Sequence, residues 1–240
     1  RLPDRMRQAF REATSGNPGP VNLQLAGNNG QIEDDYADLD VIVENRYTIA
    51  PSHRILPPVE DIKDAIAHIK TSKKPLIILG GGARISGAGD EAIEFSRKFG
   101  IPIATSVAAY NLVPEDYEHY IGVPGSYSRS CSNKIVSEAD LVIYIGSSTG
   151  GQVTHFWKIP DKNVRVIQIG IDPSDLGRNY PNDVSLLGDA KSTLQLLLKE
   201  EILPLSIDQW LKRTKDLVKE WRNEVEKQRN SNNIPIRTER

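Results

Sequence analysis

Two short stretches of this chain, Leu76-Ile77-Ile78-Leu79 and Leu141-Val142-Ile143-Tyr144-Ile145, are apolar at nearly every position, and each follows a segment with helical spacing of its apolar residues. A strand with one wet face alternates polar and apolar residues; a run without alternation is buried on both faces, as in a parallel sheet covered by helices. Ile62, Ala65, Ile66 and Ile69 recur at helical spacing ahead of the first run, and Lys73-Lys74-Pro75 stops that helix. The unit then repeats, with a helix over 88–99, a strand over 101–105, a helical stretch over 133–139 and the second run. Strands at 164–171 and 184–187 and a helix over 191–198 complete the pattern. Alternating helices and buried strands predict an α/β fold: a Rossmann-like parallel sheet with helices on both faces.

The flanks read differently. Residues 3–10 suit the end of a helix, Ser15-Gly16-Asn17-Pro18-Gly19-Pro20 is a dense turn signal, and 21–25 suits a short strand. Residues 26–58 carry Gly, Asn, Asp and Pro with little periodicity and read as a linker lying over a surface, closed by Pro57-Pro58. Beyond Pro204, Ser206 with Gln209 makes a capping-box start for a C-terminal amphipathic helix. Ile207, Trp210, Leu211, Leu217, Val218, Trp221 and Val225 form its apolar stripe, which needs a surface within this domain or on a partner. The segment from Arg229 is polar. The chain opens at Arg1-Leu2-Pro3 without Met or apolar leader, and the expectation is a piece cut from a longer protein. Its divisions are expected at 1–25, 26–58, 59–200 and 201–240.

Lys and Arg number 30 against 32 Asp and Glu, a net charge of -2, so the chain has no electrostatic footprint for nucleic acid or an anionic membrane. No apolar run approaches the ~20 residues that span a bilayer. The single Cys131 excludes an internal disulfide and fits a reducing, cytoplasmic compartment.

In an open parallel sheet, ligands bind beyond the carboxyl ends of the strands. Here those ends carry small residues: Gly80-Gly81-Gly82, Thr105-Ser106, and Ser147, Ser148, Thr149, Gly150 and Gly151 after Gly146. Such loops let backbone amides approach a phosphate or ring, and their coincidence points to a nucleotide-sized site; the bland alternative is that they only turn the chain. The dehydrogenase fingerprint is incomplete, since Gly80, Gly82 and Ile85 miss its third glycine and no acid ends the second strand. His53, His68, His119 and His155 lack ligand spacing, and Cys131, at the front of a predicted helix, has no fixed base. Neither a nucleophile nor a general base is recognisable locally.

The ordered landmarks resemble those of thiamine-diphosphate enzymes of the acetolactate synthase type. Ala13-Thr14-Ser15-Gly16-Asn17-Pro18-Gly19-Pro20-Val21 is similar to the end of that family's pyrimidine-binding domain. Pro75-Leu76-Ile77-Ile78-Leu79-Gly80-Gly81-Gly82, Ala139-Asp140-Leu141-Val142-Ile143, Ile171-Asp172-Pro173 and Gly188-Asp189-Ala190 are similar to successive landmarks of its central domain. The resemblance implies that 1–25 is a remnant of the pyrimidine-binding domain, 59–200 the central nucleotide-binding-type domain, and 201–240 a helix and linker toward a missing diphosphate-binding domain. It further implies a homo-oligomeric parent, dimer or tetramer, acting on a small 2-keto acid with thiamine diphosphate and Mg2+ held outside this chain. Gly188-Asp189 with Asn232-Asn233 imitates the family's metal motif, but Ala190 stands where a second glycine belongs.

Some branches of the family hold FAD in the central domain, others ADP or nothing. The FAD contacts of the family fall here on Gly80, Gly81, Gly82, Ser106, Val107, Gly122, Gly125, Gly146, Ser147, Ser148, Asp189 and Ala190. Two departures stand out. Ser148-Thr149-Gly150-Gly151-Gln152 replaces an arginine- and aspartate-rich loop, and Gly170 replaces the carboxylate that meets the adenosine ribose, with Asp172 as a possible substitute. Arg178 is read as facing either a phosphate or solvent. The alternative reading is a standalone nucleotide-binding module of related topology, sirtuin-like or electron-transfer-flavoprotein-like.

Overall fold

The structure, a computed structural model, describes residues 2–24, 40–201, 205–230, 232 and 234. It contains two compact units, 1–54 and 55–240.

In the first unit, helix α1 (Leu2–Thr14) buries none of its residues. Arg11 Nε donates to Glu44 Oε2 at 2.7 Å, and the guanidinium lies 4.4 Å from the Tyr47 ring centroid, beside a 3-10 turn at Asn45–Tyr47. Arg11 thereby holds the Glu44 carboxyl below its usual range. The strand expected over 21–25 is not formed at 21–24; Leu25 lies outside the described residues. Most of the expected linker, 25–39, also lies outside them.

The second unit is built on a six-stranded sheet of order β3-β2-β1-β4-β5-β6, in which every pairing is parallel. Its strands are β1 (Pro75–Leu79), β2 (Ile103–Thr105), β3 (Tyr120–Gly122), β4 (Leu141–Ile145), β5 (Arg165–Gly170) and β6 (Val184–Leu187). The helices are α2 (Val59–Thr71), α3 (Gly81–Ser86), α4 (Gly89–Phe99), α5 (Ser130–Glu138), α6 (Ala190–Lys199) and α7 (Asp208–Arg229). The Rossmann-like expectation is met, with β1 beside β4 at the centre. From β1 the chain winds outward to β2 and β3, then returns to β4 and winds the other way.

Side chains alternate across a strand, so each apolar run feeds two cores. Ile77, Leu79, Leu141, Ile143 and Ile145 join one cluster with Ile66 and Ile69 of α2, Phe95 and Phe99 of α4, and Leu194 and Leu197 of α6. Leu76, Ile78, Val142 and Tyr144 join the other, with Ile135 and Val136 of α5 and Trp210, Leu217 and Val218 of α7. Burying one such side chain is worth roughly 1.5–3 kcal/mol, which is why these runs dictate the layering. The C-terminal stripe thus finds its surface within this unit, and Trp210 Nε1 donates to the Pro75 carbonyl at 2.9 Å. The capping box at Ser206 and Gln209 does not form: α7 starts at Asp208 behind Ile207, with no side-chain cap bond. Ile207 is 3% exposed, so burial of this side chain fixes the helix start instead.

Asp140 works at the amino edge of the sheet. Its carboxylate accepts the Ser72 hydroxyl and the amides of Lys73 at 2.8 Å and Lys74 at 2.9 Å, tying the entry of β4 to that of β1. Burial alone would raise its pKa; the Ser72 hydroxyl, the two amides and Arg165 outweigh it and hold the carboxyl below its usual range. A carboxyl depressed in the folded state stabilises above its unfolded pKa of ~3.9 and loses that contribution as pH falls through the folded value. Asp140→Asn is expected to lower stability at pH 7 by about 1–2 kcal/mol, a charge-assisted bond discounted for partial exposure, and to flatten the stability decline below about pH 4. Urea midpoints at pH 7 and pH 3 check this.

Candidate functional site

Because every strand is parallel, everything that follows a strand emerges at one edge. Gly80, Gly81 and Gly82 follow β1, Ser106 and Val107 follow β2, and Gly122 ends β3 with Gly125 just beyond. Gly146, Ser147 and Ser148 follow β4, Asp172 follows β5, and Asp189 and Ala190 follow β6. The expected site residues therefore share an edge, with the reversal of strand order between β1 and β4 at its middle.

The glycines there serve mutual packing first. Gly146 has φ +61°, and a Cβ on it would sit 2.2 Å from the Ala83 nitrogen; a Cβ on Gly80 would sit 2.2 Å from the Gly146 oxygen. Gly80 donates its amide to Ile145 O, Gly82 to Gly146 O, Gly146 to Ile169 O and Ser106 to Leu79 O, each at 2.8 Å. Those amides are spoken for within the sheet edge. Gly122, at φ +93°, leaves room for the Arg129 side chain, whose Cδ would lie 2.5 Å from a Cβ. Gly125, at φ +104°, is pressed against the Gln152 carbonyl, 1.8 Å from where a Cβ would be.

Asp189 is 4% exposed and caps α6. Its Oδ1 accepts the Ser192 amide at 3.0 Å and its Oδ2 the Ser86 hydroxyl at 2.7 Å, while Ser86 Oγ accepts the Lys191 amide at 2.9 Å. Ala190, 5% exposed, packs in the core. Asp172 lies past the end of β5 rather than on it, and its Oδ1 accepts the Ser174 amide at 2.8 Å. Ser174 holds this carboxyl below its usual range. Arg178 is exposed and pairs with Asp175 at 2.8 Å. Cys131 is buried and its thiol is pushed up by burial, the signature of an inert cysteine.

What stays reachable is narrower: Gly81 and Gly82 on one side of the reversal, Gly146, Ser147 and Ser148 on the other, with Ser106 and Val107 alongside. Ser106 Oγ is enclosed without a protein partner. The Ser147–Ser148 backbone is held from beneath by residues that the sequence reading did not single out. Gln168, 1% exposed in the middle of β5, donates from Nε2 to Ser147 O at 2.9 Å and to Asp175 O at 3.1 Å, and accepts the Gly177 amide at 2.9 Å. Asn179 Nδ2 donates to Ser148 O at 2.9 Å. The available signal was Gln168 itself, an amide between Ile167 and Ile169 in the middle of the strand, which must find partners when buried.

These features define a doubly wound parallel α/β domain with a small-residue cradle at its reversal point. The family described as "Thiamine pyrophosphate enzyme, central domain" matches residues 62–197, and the chain belongs to it. A probable acetolactate synthase large subunit from Methanococcus aeolicus is 29% identical over 98% of this chain and 39% of its own length. One from Methanocaldococcus jannaschii is 31% identical over 91% and 37%. An acetolactate synthase from Arthrospira platensis is 31% identical over 82% and 34%. The chain thus spans less than two-fifths of the length of these relatives. The family match decides against a sirtuin-like or electron-transfer-flavoprotein-like module.

Among the described residues no group of three or more His, Cys, Asp or Glu could hold a metal ion, and no helix is long and apolar enough to cross a membrane. Asn233, the last residue of the imitated metal motif, lies outside the described residues.

Proposed function

We propose that this chain is the central part of a thiamine-diphosphate-dependent carboligase or decarboxylase acting on 2-keto acids, and that its edge cradle holds FAD or ADP. The single observation that supports the nucleotide reading is the gathering of Gly81, Gly82, Gly146, Ser147 and Ser148 at the reversal of strand order, with Ser106 Oγ enclosed and unpartnered at the same edge. Gly81, Gly82 and the Ser147–Ser148 backbone would surround a diphosphate, and Ser106 and Val107 would flank it. Gln168 and Asn179 keep the Ser147 and Ser148 carbonyls turned inward, so the loop keeps one shape before a ligand arrives. Gly80, Gly122, Gly125, Asp189 and Ala190 would act indirectly, as packing behind the cradle.

In the parent, thiamine diphosphate with Mg2+ supplies the carbanion chemistry on the keto acid. This chain contributes position: 1–25 as a remnant of the pyrimidine-binding domain, 26–58 as linker, 59–200 as the central domain and 201–240 as the helix leading on. A cytoplasmic homo-oligomer, dimer or tetramer, is the parent assembly in this reading; the name "large subunit" carried by relatives supports an assembly of some kind.

Calorimetric titration of the 240-residue chain with FAD and with ADP tests the cradle. One site per chain for either is expected; no heat with both overturns the nucleotide reading. The same chain with pyruvate, thiamine diphosphate and Mg2+ is expected to form no acetolactate, and product formation would overturn its non-catalytic role.

A further inference from the structure

Helix α7 faces the approach to β3 across a ladder of opposite charges. Lys215, Lys219 and Arg222 recur at i, i+4 and i+7 along α7 and so share one face. The loop before β3 answers with Glu118, Asp116 and Glu115. The outer rungs are closed. Lys215 Nζ donates to Glu118 Oε2 at 2.9 Å, and Arg222 Nη2 donates to the Glu115 carbonyl at 3.0 Å, with the Glu115 carboxylate taken up by Arg129 at 2.6 Å. The middle rung is open. Asp116 and Lys219 line the same groove, yet their side chains make no hydrogen bond or ion pair among the described residues.

The groove at the open rung has a volume of about 280 Å3. Ile121 and Val218, both buried, give it an apolar lining. His119 lines it as well, with a side chain only 8% exposed. Its Nδ1 lies 3.4 Å from the Tyr117 hydroxyl, and its Nε2 lies 3.8 Å from Glu118 Oε1, too far to bond it. Small-molecule sites are built in this way, from apolar walls with a few placed polar groups. Once the outer rungs are closed, the groove offers a ligand one carboxylate and one ammonium, supplied by different segments. A simple anion satisfies Lys219 but meets Asp116 as a like charge; a simple cation does the reverse. A molecule that carries an ammonium and a carboxylate on one carbon answers both, and a short aliphatic chain on that carbon meets Ile121 and Val218.

We propose that the groove between α7 and the approach to β3 is a binding site for a small α-amino acid. Asp116 takes its ammonium, Lys219 and His119 Nε2 take its carboxylate, and Ile121 and Val218 take its side chain. The bound molecule completes the middle rung, so it fastens α7 to the sheet and raises the thermal midpoint of the chain by mass action. The site lies on the amino-terminal side of β3 and does not depend on the nucleotide reading.

Three matched probes test it: L-norleucine, hexanoate (the same chain without the ammonium) and pentylamine (the same chain without the carboxylate). Each is titrated into the 240-residue chain, and binding is followed by ligand-observed NMR and by the thermal midpoint. L-Norleucine is expected to bind at least ten-fold more tightly than either of the others, a difference of ~1.4 kcal/mol for each lost charged contact. Lys219→Ala should remove its advantage over pentylamine, and Asp116→Asn its advantage over hexanoate, while Lys219→Arg, which keeps the charge, should retain most of the affinity. Both side chains are exposed, so circular dichroism of all three variants should match wild type. No binding of L-norleucine at millimolar concentration overturns the site. Equal affinity for the three probes overturns it too, as does an L-norleucine affinity that neither Lys219→Ala nor Asp116→Asn changes, since the open rung is then only a pair of solvated surface charges.

Discussion

Gly146→Ala is expected to destabilise the second unit by about 3–5 kcal/mol, enough to remove most of the stability of an ordinary domain. Two effects add. The residue sits at φ +61°, where a Cβ costs roughly 1–2 kcal/mol. That Cβ would also lie 2.2 Å from the Ala83 nitrogen and 2.6 Å from the Gly82 carbonyl carbon, which are backbone atoms that no rotamer change can move aside. Relief requires lifting α3 away from β4 and breaking the 2.8 Å bond from the Gly82 amide to Gly146 O. Gly87→Ala separates the two effects. Gly87 has nearly the same backbone, φ +65°, with nothing within 4 Å of a Cβ, so about 1 kcal/mol is expected there. Urea denaturation of both variants is the measurement, and equal losses would mean that the Gly146 contact relaxes freely and is not a packing constraint.

Asp189→Ala is expected to cost about 2–4 kcal/mol. The substitution deletes the cap of α6, usually worth about 1 kcal/mol. It also removes the charge-assisted bond that the enclosed Ser86 hydroxyl donates at 2.7 Å, a kind of bond worth roughly 1.5–3 kcal/mol. Asp189→Asn retains a capping oxygen and should lose about half as much. The family resemblance places Asp189 among nucleotide contacts, whereas its surroundings make it a structural cap, and the two roles separate experimentally. A cap moves the urea midpoint and leaves FAD or ADP affinity of the folded Asn variant within about two-fold, since a two-fold change is only ~0.4 kcal/mol. A ten-fold loss of affinity with an unchanged midpoint would return Asp189 to the ligand.

Much of the architecture is legible from local pattern. The bounds expected for the strands at 141–145 and 184–187 are those observed, because long apolar runs and flanking breakers act within a few residues. The misses are equally physical. β3 is only Tyr120–Gly122 and α3 only Gly81–Ser86, too short to carry a period. The Ser206 cap was a correct motif outvoted by burial of Ile207, and no strand forms at 21–24, the described part of the strand expected over 21–25. Small residues after each strand do lie together at the carboxyl edge of the sheet, but a glycine looks the same whether it clears space for a ligand or for another backbone. The left-handed turn at His155, Phe156 and Trp157 carried no signal, because nothing local announces three such residues in a row.

By itself the sequence determined that the chain would layer helices on both faces of a parallel sheet, and that the strand ends would share one edge. Alternation of side chains along a strand sends Ile77 and Ile78 to opposite cores whatever the rest of the chain does. Only the tertiary structure decided what happens at that edge. It seated Gly146 against Ala83, Gly125 against Gln152 and Asp189 against Ser86, and it enclosed polar atoms of Ser106, Ser126 and His155 without a hydrogen-bond partner. Those outcomes depend on which distant segments meet and at what distance, and hydrophobic period, being a property of neighbours along the chain, contains no information about either.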